Sequence, residues 1–88
     1  MTFYNYLDEM QSLCLRAAKA LSVIKPDDPV IYDVYSAAEE GFFKKKQNCL
    51  VADAGTPAGE VKTARLERFE KTVLEWEEAA AYKIRENE

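Results

Sequence analysis

The chain has 88 residues, with 12 Lys or Arg against 16 Asp or Glu, no histidine, and a net charge of −4. A chain this short supports one domain with a small core, and without histidine it has no imidazole base, no Ser/His/Asp or Cys/His nucleophile arrangement and no histidine metal ligand. Cys14 and Cys49 fall short of the four ligands of a structural zinc site, and no glycine-rich stretch ends in the Gly-Lys-Ser/Thr that cradles phosphates.

The first predicted element runs from Phe3 to Ile24. Its apolar residues Phe3, Leu7, Met10, Cys14, Ala17, Leu21 and Ile24 alternate steps of four and three, which places them on one stripe of a helix. Tyr6, Leu13 and Ala20 widen that stripe, while Asn5, Asp8, Glu9, Gln11, Ser12, Arg16, Lys19 and Ser22 fall on other faces. Pro26 lacks an amide hydrogen and biases Lys25 away from helical dihedrals, so the helix stops there. Asp27 or Asp28 can then cap a second helix with Pro29 at its first position.

That second helix, roughly residues 29–48, carries Val30, Ile31, Val34, Tyr35, Ala37, Ala38, Gly41, Phe42 and Phe43 at helical spacing. The short connection makes the two helices antiparallel neighbours, so residues 3–48 read as a helical hairpin. Gly41 costs about 1 kcal/mol relative to Ala inside a helix, which suggests either a close approach of backbone or ligand or a kink. Lys44, Lys45 and Lys46 offset the negative end of the helix dipole.

Two glycines and a proline within Ala52-Asp53-Ala54-Gly55-Thr56-Pro57-Ala58-Gly59 mark a loop over 52–59. Thr56-Pro57 has the form of a helix start, which predicts a third helix over 57–86 with Leu66, Phe69, Val73, Trp76 and Ala80 on one stripe. Leu74, Ala81 and Ile84 form a second row, and Glu67 lies four residues before Lys71 on an exposed face. At 1.5 Å per residue this helix spans about 40 Å, more than either hairpin helix covers, so part of its stripe is expected to meet another chain. The expected fold is thus all-α: one domain over 1–88, an antiparallel hairpin followed by a long third helix, completed by oligomerisation. Small chains gain stability by association.

Chemistry is sparse. The acidic pairs Asp8-Glu9, Asp27-Asp28, Glu39-Glu40 and Glu77-Glu78 are adjacent in sequence and point about 100° apart on a helix, which does not build a shared acid/base site. We therefore expect no enzyme, no cofactor and no metal. Phe3, Tyr4 and Tyr6 crowd the first turn. Phe3 and Tyr6 belong with the core, whereas Tyr4 points aside and can stack on a base or on another protomer. Arg16, Lys19 and Lys25 place basic groups toward the other end of the same helix. Tyr4 and Lys19 are about 22 Å apart along one helix. Two such helices laid antiparallel would set Tyr4 of one copy beside Lys19 of the other, a stacking face next to a phosphate-neutralising charge.

These features resemble the phage sponges directed against cyclic-oligonucleotide-based antiphage signalling, the anti-CBASS sponges. The likeness covers residues 3–48 and rests on Lys19-Ala20-Leu21, on the turn Pro26-Asp27-Asp28-Pro29, and on Glu40-Gly41-Phe42-Phe43. It extends to Tyr4 and Lys19, which match in type and spacing an aromatic stacker and a lysine of that family. The segment after Gly59 has no counterpart in the family's hairpin. The resemblance implies a compact helical protein, a homo-oligomer such as a hexamer, that binds cyclic dinucleotides or trinucleotides between protomers without cleaving them. Tyr4, Lys19, Arg16 and Lys25 are then the ligand-binding candidates.

The location implied is the cytoplasm of a bacterial host. An amino terminus without a basic region and apolar segment, and the absence of long apolar runs, agree with that expectation, as does the reading of both cysteines as packed thiols. Net negative charge argues against a membrane or a DNA or RNA polymer as partner. Two other readings remain open. One is an inhibitor or adaptor that presents Phe69 and Trp76 of the third helix to a host protein, or imitates nucleic acid with Glu67, Glu70, Glu75, Glu77 and Glu78. The other is a structural subunit of a larger helical particle.

Overall fold

A computed structural model describes residues 1–86. The order of elements is α1 (Phe3–Ile24), α2 (Val30–Ser36), a π-helical turn (Ala37–Phe42), α3 (Phe43–Gln47), α4 (Val51–Ala54) and α5 (Glu60–Glu86). The fold is all-α, a hairpin followed by a long third helix, as the periodicity predicts. Among the described residues the extended pairing is a single bridge, between Thr2 and Pro57.

α1 begins where the Thr2 hydroxyl accepts a hydrogen bond from the Asn5 amide at 3.2 Å. It ends at Lys25, whose amide still donates to the Leu21 carbonyl at 2.7 Å before Pro26 breaks the ladder. Tyr6, Leu7, Met10, Leu13, Cys14, Ala17, Ala18, Ala20 and Leu21 are buried along one side. α1 is the central rod against which everything else packs.

Asp28 is the residue that caps the return helix, with its carboxylate accepting from the Val30 amide at 3.0 Å. α2, the π-helical turn and α3 then form one rod antiparallel to α1, since Gln11 reaches Ala38 and Asp8 reaches Lys46. The π-helical turn keeps residues spaced by four on one side of the rod. Val34, Ala38, Phe42 and Lys46 are spaced by four, and in an α-helix each such step overshoots a full turn by about 40°. Three steps would carry Lys46 about 120° away from the residue that started the row. A wider turn absorbs the excess, so Ala38 is fully buried, Phe42 packs on the core and Lys46 still meets α1. Gly41 lies inside this turn, and a Cβ built there would find nothing within 4 Å. No close approach inside the protomer requires the glycine, and the distortion is the wide turn itself.

The third helix starts later than the Thr56-Pro57 pattern predicts. Thr56 and Ala58 are held by the amino terminus: the Phe3 amide donates to the Thr56 carbonyl at 2.7 Å and the Ala58 amide to the Met1 carbonyl at 3.0 Å. That extended pairing takes Pro57 out of the helix. Gly59 follows at φ 94°, in the left-handed region open to glycine, and α5 begins at Glu60. Part of the predicted loop is also helical, as the single turn α4. α5 runs parallel to α1, because Lys62 lies over Phe3 and Glu77 pairs with Arg16. Leu66, Val73 and Ala80 are buried on it, and Phe69 and Trp76 are half-buried against the same core. The stripe expected to meet another chain is therefore spent largely on α1, while Leu74 and Ile84 of the second row remain exposed. No described helix is long and apolar enough to cross a membrane.

Candidate functional site

On the α1 helix, Tyr4, Leu15 and Ser22 lie within about 20° of one another and Lys19 about 40 to 60° away, so one face runs from the first turn to the last. Its far half is the floor of an open groove between α1 and α2, lined by Ser12, Leu15, Lys19 and Ser22 on one side and by Ile31 and Tyr35 on the other. Tyr35 is 51% exposed, and the Lys19 ammonium makes no ion pair or hydrogen bond among the described residues. The groove thus combines an aliphatic floor, an aromatic wall, the Ser12 hydroxyl and a free cation, while the Ser22 hydroxyl donates to the Lys19 carbonyl at 2.6 Å.

The structure treats the four sequence candidates differently. Lys19 is in the groove. Arg16 lines it too, but its guanidinium is turned to Glu77 in a two-point pair: Nε donates to Oε2 at 3.0 Å and Nη2 to Oε1 at 2.5 Å. That hydrogen-bonded pairing holds the Glu77 carboxyl below the usual carboxylate range and raises Arg16 further above its own. Arg16 is therefore already neutralised, where the sequence suggests a phosphate ligand. Lys25 is the exposed cap of α1, one turn beyond the groove lining.

Tyr4, 39% exposed, sits at the opposite end of α1 with the Lys46 ammonium 5.7 Å from its ring centroid. An aromatic and a lysine do meet within one protomer, but the lysine is Lys46 and not Lys19. Lys46 is also bound at 2.6 Å to Asp8 and at 3.0 Å to the Gln11 side-chain oxygen, while the Gln11 amide nitrogen donates to the Ala38 carbonyl at 3.1 Å. The hydrogen bond to Asp8 holds the Lys46 proton more tightly than in a free lysine. This chain of polar groups ties the π-helical turn and α3 to α1.

Tyr35, Ile31 and Leu15 are the groove residues that the sequence reading does not single out. Leu15 carried a signal, an aliphatic side chain flanked on its face by Gln11, Ser12, Lys19 and Ser22. Both cysteines are free, and burial pushes the Cys14 thiol up, away from the reactive thiolate. Among the described residues no three Cys, Asp or Glu side chains gather as metal ligands. No protein-family model matches the chain, and no curated protein or solved structure is detectably similar to it.

Proposed function

We propose that this is a non-enzymatic binding protein that captures a cyclic dinucleotide or trinucleotide at the α1–α2 groove, holds it between copies of the chain in the host cytoplasm, and releases it intact. The observation that carries the reading is the unpaired Lys19 ammonium beside the exposed Tyr35 ring over the aliphatic floor of Leu15 and Ile31. A base stacks on Tyr35, its phosphate meets Lys19, and Ser12 supplies a hydroxyl to the sugar-phosphate ring, the Ser22 hydroxyl being spent on the Lys19 carbonyl. Tyr4 of a second copy laid antiparallel along the same face of α1 closes the site from above, which makes the binding species an oligomer, a hexamer by the sponge resemblance. Lys25 borders such a site from the next turn, and Arg16 shapes its wall through Glu77.

Calorimetric titration with a panel of cyclic dinucleotides and trinucleotides, beside light scattering, tests this. Lys19→Ala and Tyr35→Ala should each weaken binding by about 5- to 100-fold, the range expected for losing one stacking or charge contact, without changing assembly. Arg16→Ala should matter less than either. Absence of heat with every ligand, or recovery of linear nucleotide after denaturation, rejects the reading.

The alternative, an inhibitor or adaptor that binds a host protein through the third helix, loses two anchors because Phe69 and Trp76 pack inward. It retains the exposed Leu74 and Tyr82 of α5. Capture of one stoichiometric host protein that Leu74→Ala abolishes, with no nucleotide bound, would favour it.

A further inference from the structure

α5 buries Leu66, Val73 and Ala80 against α1, and its outward side has an order of its own. At about 100° per residue, Val61, Ala64, Arg68, Glu75, Ala79 and Tyr82 fall within about 30° of one line, about 150° from the buried one. Val61 and Tyr82, 74% and 63% exposed, stand at its two ends. The line reads alike from either end. About a midpoint between Lys71 and Thr72, Val61 answers to Tyr82, Ala64 to Ala79 and Arg68 to Glu75, so apolar matches apolar, small matches small and base matches acid. Charge on the outward side inverts in the same way: Arg65, Arg68 and Lys71 outnumber Glu60 and Glu67 in the first half, and Glu75, Glu78 and Glu86 outnumber Lys83 and Arg85 in the second. These charges are not matched within the chain. Arg65, Arg68 and Glu78 have no opposite charge three or four residues away on the helix. Arg68 and Glu75 are about 10 Å apart along it, and none of the four makes an ion pair among the described residues.

We propose that this face is an interface between two copies of the chain, with α5 lying antiparallel on α5 of a second copy about a two-fold axis at residues 71 and 72. Arg68 of each chain then meets Glu75 of the other near the axis, Ala64 and Ala79 let the two helices approach closely, and Val61 packs on Tyr82 at both ends. Arg65 and Glu78 share a level but lie about 70° off the line on opposite flanks, so each extends over an alanine of the facing helix, Arg65 over Ala79 and Glu78 over Ala64. Lys71 approaches its own copy near the axis, with Glu75 of both chains beside it. A parallel pairing would instead set Arg68 on Arg68 and Glu75 on Glu75. A face that complements its own inverse is the signature of a two-fold contact, which singles out a second copy over a foreign helix. The α1–α2 groove uses no residue of α5, and the pairing does not depend on the nucleotide reading.

Sedimentation of the full chain over a concentration series, without nucleotide, tests the pairing. Arg68→Glu and Glu75→Arg should each raise the dissociation constant of the dimer by about tenfold or more, because one substitution turns two symmetry-related contacts from attractive to repulsive. Tyr82→Ser should raise it by about tenfold, since the dimer loses that apolar contact twice. Both exchanges in one chain, or an equimolar mixture of the two single variants, should restore association, because each returns a base to every acid. Lys44→Glu, an equal reversal at an exposed position of α3, should change nothing. Circular dichroism checks that each variant folds. A monomer at every concentration, association indifferent to Arg68→Glu, or single-variant losses that neither combination repairs would each overturn the proposal.

Discussion

α1 is flanked by two partners that hold it in different ways. Along α5 the contact is apolar and continuous: Leu66, Val73 and Ala80 are buried, Phe69 and Trp76 fill in beside them, and one ion pair, Arg16 to Glu77, sits at the margin. Along the return rod neither α2 nor α3 buries a residue, and Ala38 of the π-helical turn is the one residue of that rod that is fully covered. Half-buried Val34 and Phe42 and the polar chain from Ala38 through Gln11 and Lys46 to Asp8 do the rest. Hydrogen bonds of this kind contribute about 1 kcal/mol each and fix geometry more than they supply stability. The aromatics Tyr32, Tyr35 and Phe43 stay outside. One partner thus holds the fold, and the other leaves apolar surface open, which makes the return rod the less stable part of the molecule.

The largest expected difference tests that division. Leu66→Ala removes a side chain that is 3% exposed and should cost about 2–5 kcal/mol in urea unfolding, a large share of the stability of so small a domain. Tyr35→Ala, on the groove wall, should stay within about 0.5 kcal/mol. Equal losses at the two sites would mean that the return rod is as much a part of the cooperative core as α5.

Where local rules act, the fold is legible in the sequence. The four-and-three spacing from Phe3 to Ile24 and the block at Pro26 set the observed limits of α1, and of the two cap candidates Asp27 and Asp28 it is Asp28 that accepts from the return helix. The start of α5 is not legible, because Thr56-Pro57 satisfies a local helix signal that residues 1–3, more than fifty positions away, override by pairing with it. The π-helical turn is not legible either: Val34, Ala38, Phe42 and Lys46 pass as helical spacing, and the same run of fours, Tyr6, Met10, Cys14 and Ala18, is buried on the regular α1. For the site, Lys19 could be found on α1 alone. The capture of Arg16 by Glu77 depends on α5 lying parallel to α1, and the exposure of Tyr35 depends on how far α2 stands from α1. No periodicity carries either fact.

Gly41 gives a smaller test with the opposite sign. With nothing near its would-be Cβ and no positive φ, Gly41→Ala should raise stability by about 0.4–1 kcal/mol, mainly by restricting the unfolded chain. A loss instead would show that the wide turn needs glycine's freedom, and a gain with weakened ligand binding would place a ligand against it.

The smallest effect separates the ion pair at the α5 margin from the apolar contact beside it. The Arg16 guanidinium lowers the Glu77 carboxyl in the folded state, so the pair's stabilisation is present above the unfolded carboxylate value of about 4.3 and is lost as pH falls through the lower folded value. Both side chains are more than a third exposed, which limits the contribution to about 1 kcal/mol or less. Glu77→Gln should therefore be slightly less stable than the parent at pH 7, and the gap should close in strong acid, where the parent carboxylate is itself protonated, and shrink in high salt. Urea midpoints at the two pH values measure it. A gap that persists in acid would mean that the Glu77 stem, and not its charge, joins α5 to α1, and the apolar account of that interface would then extend to its margin.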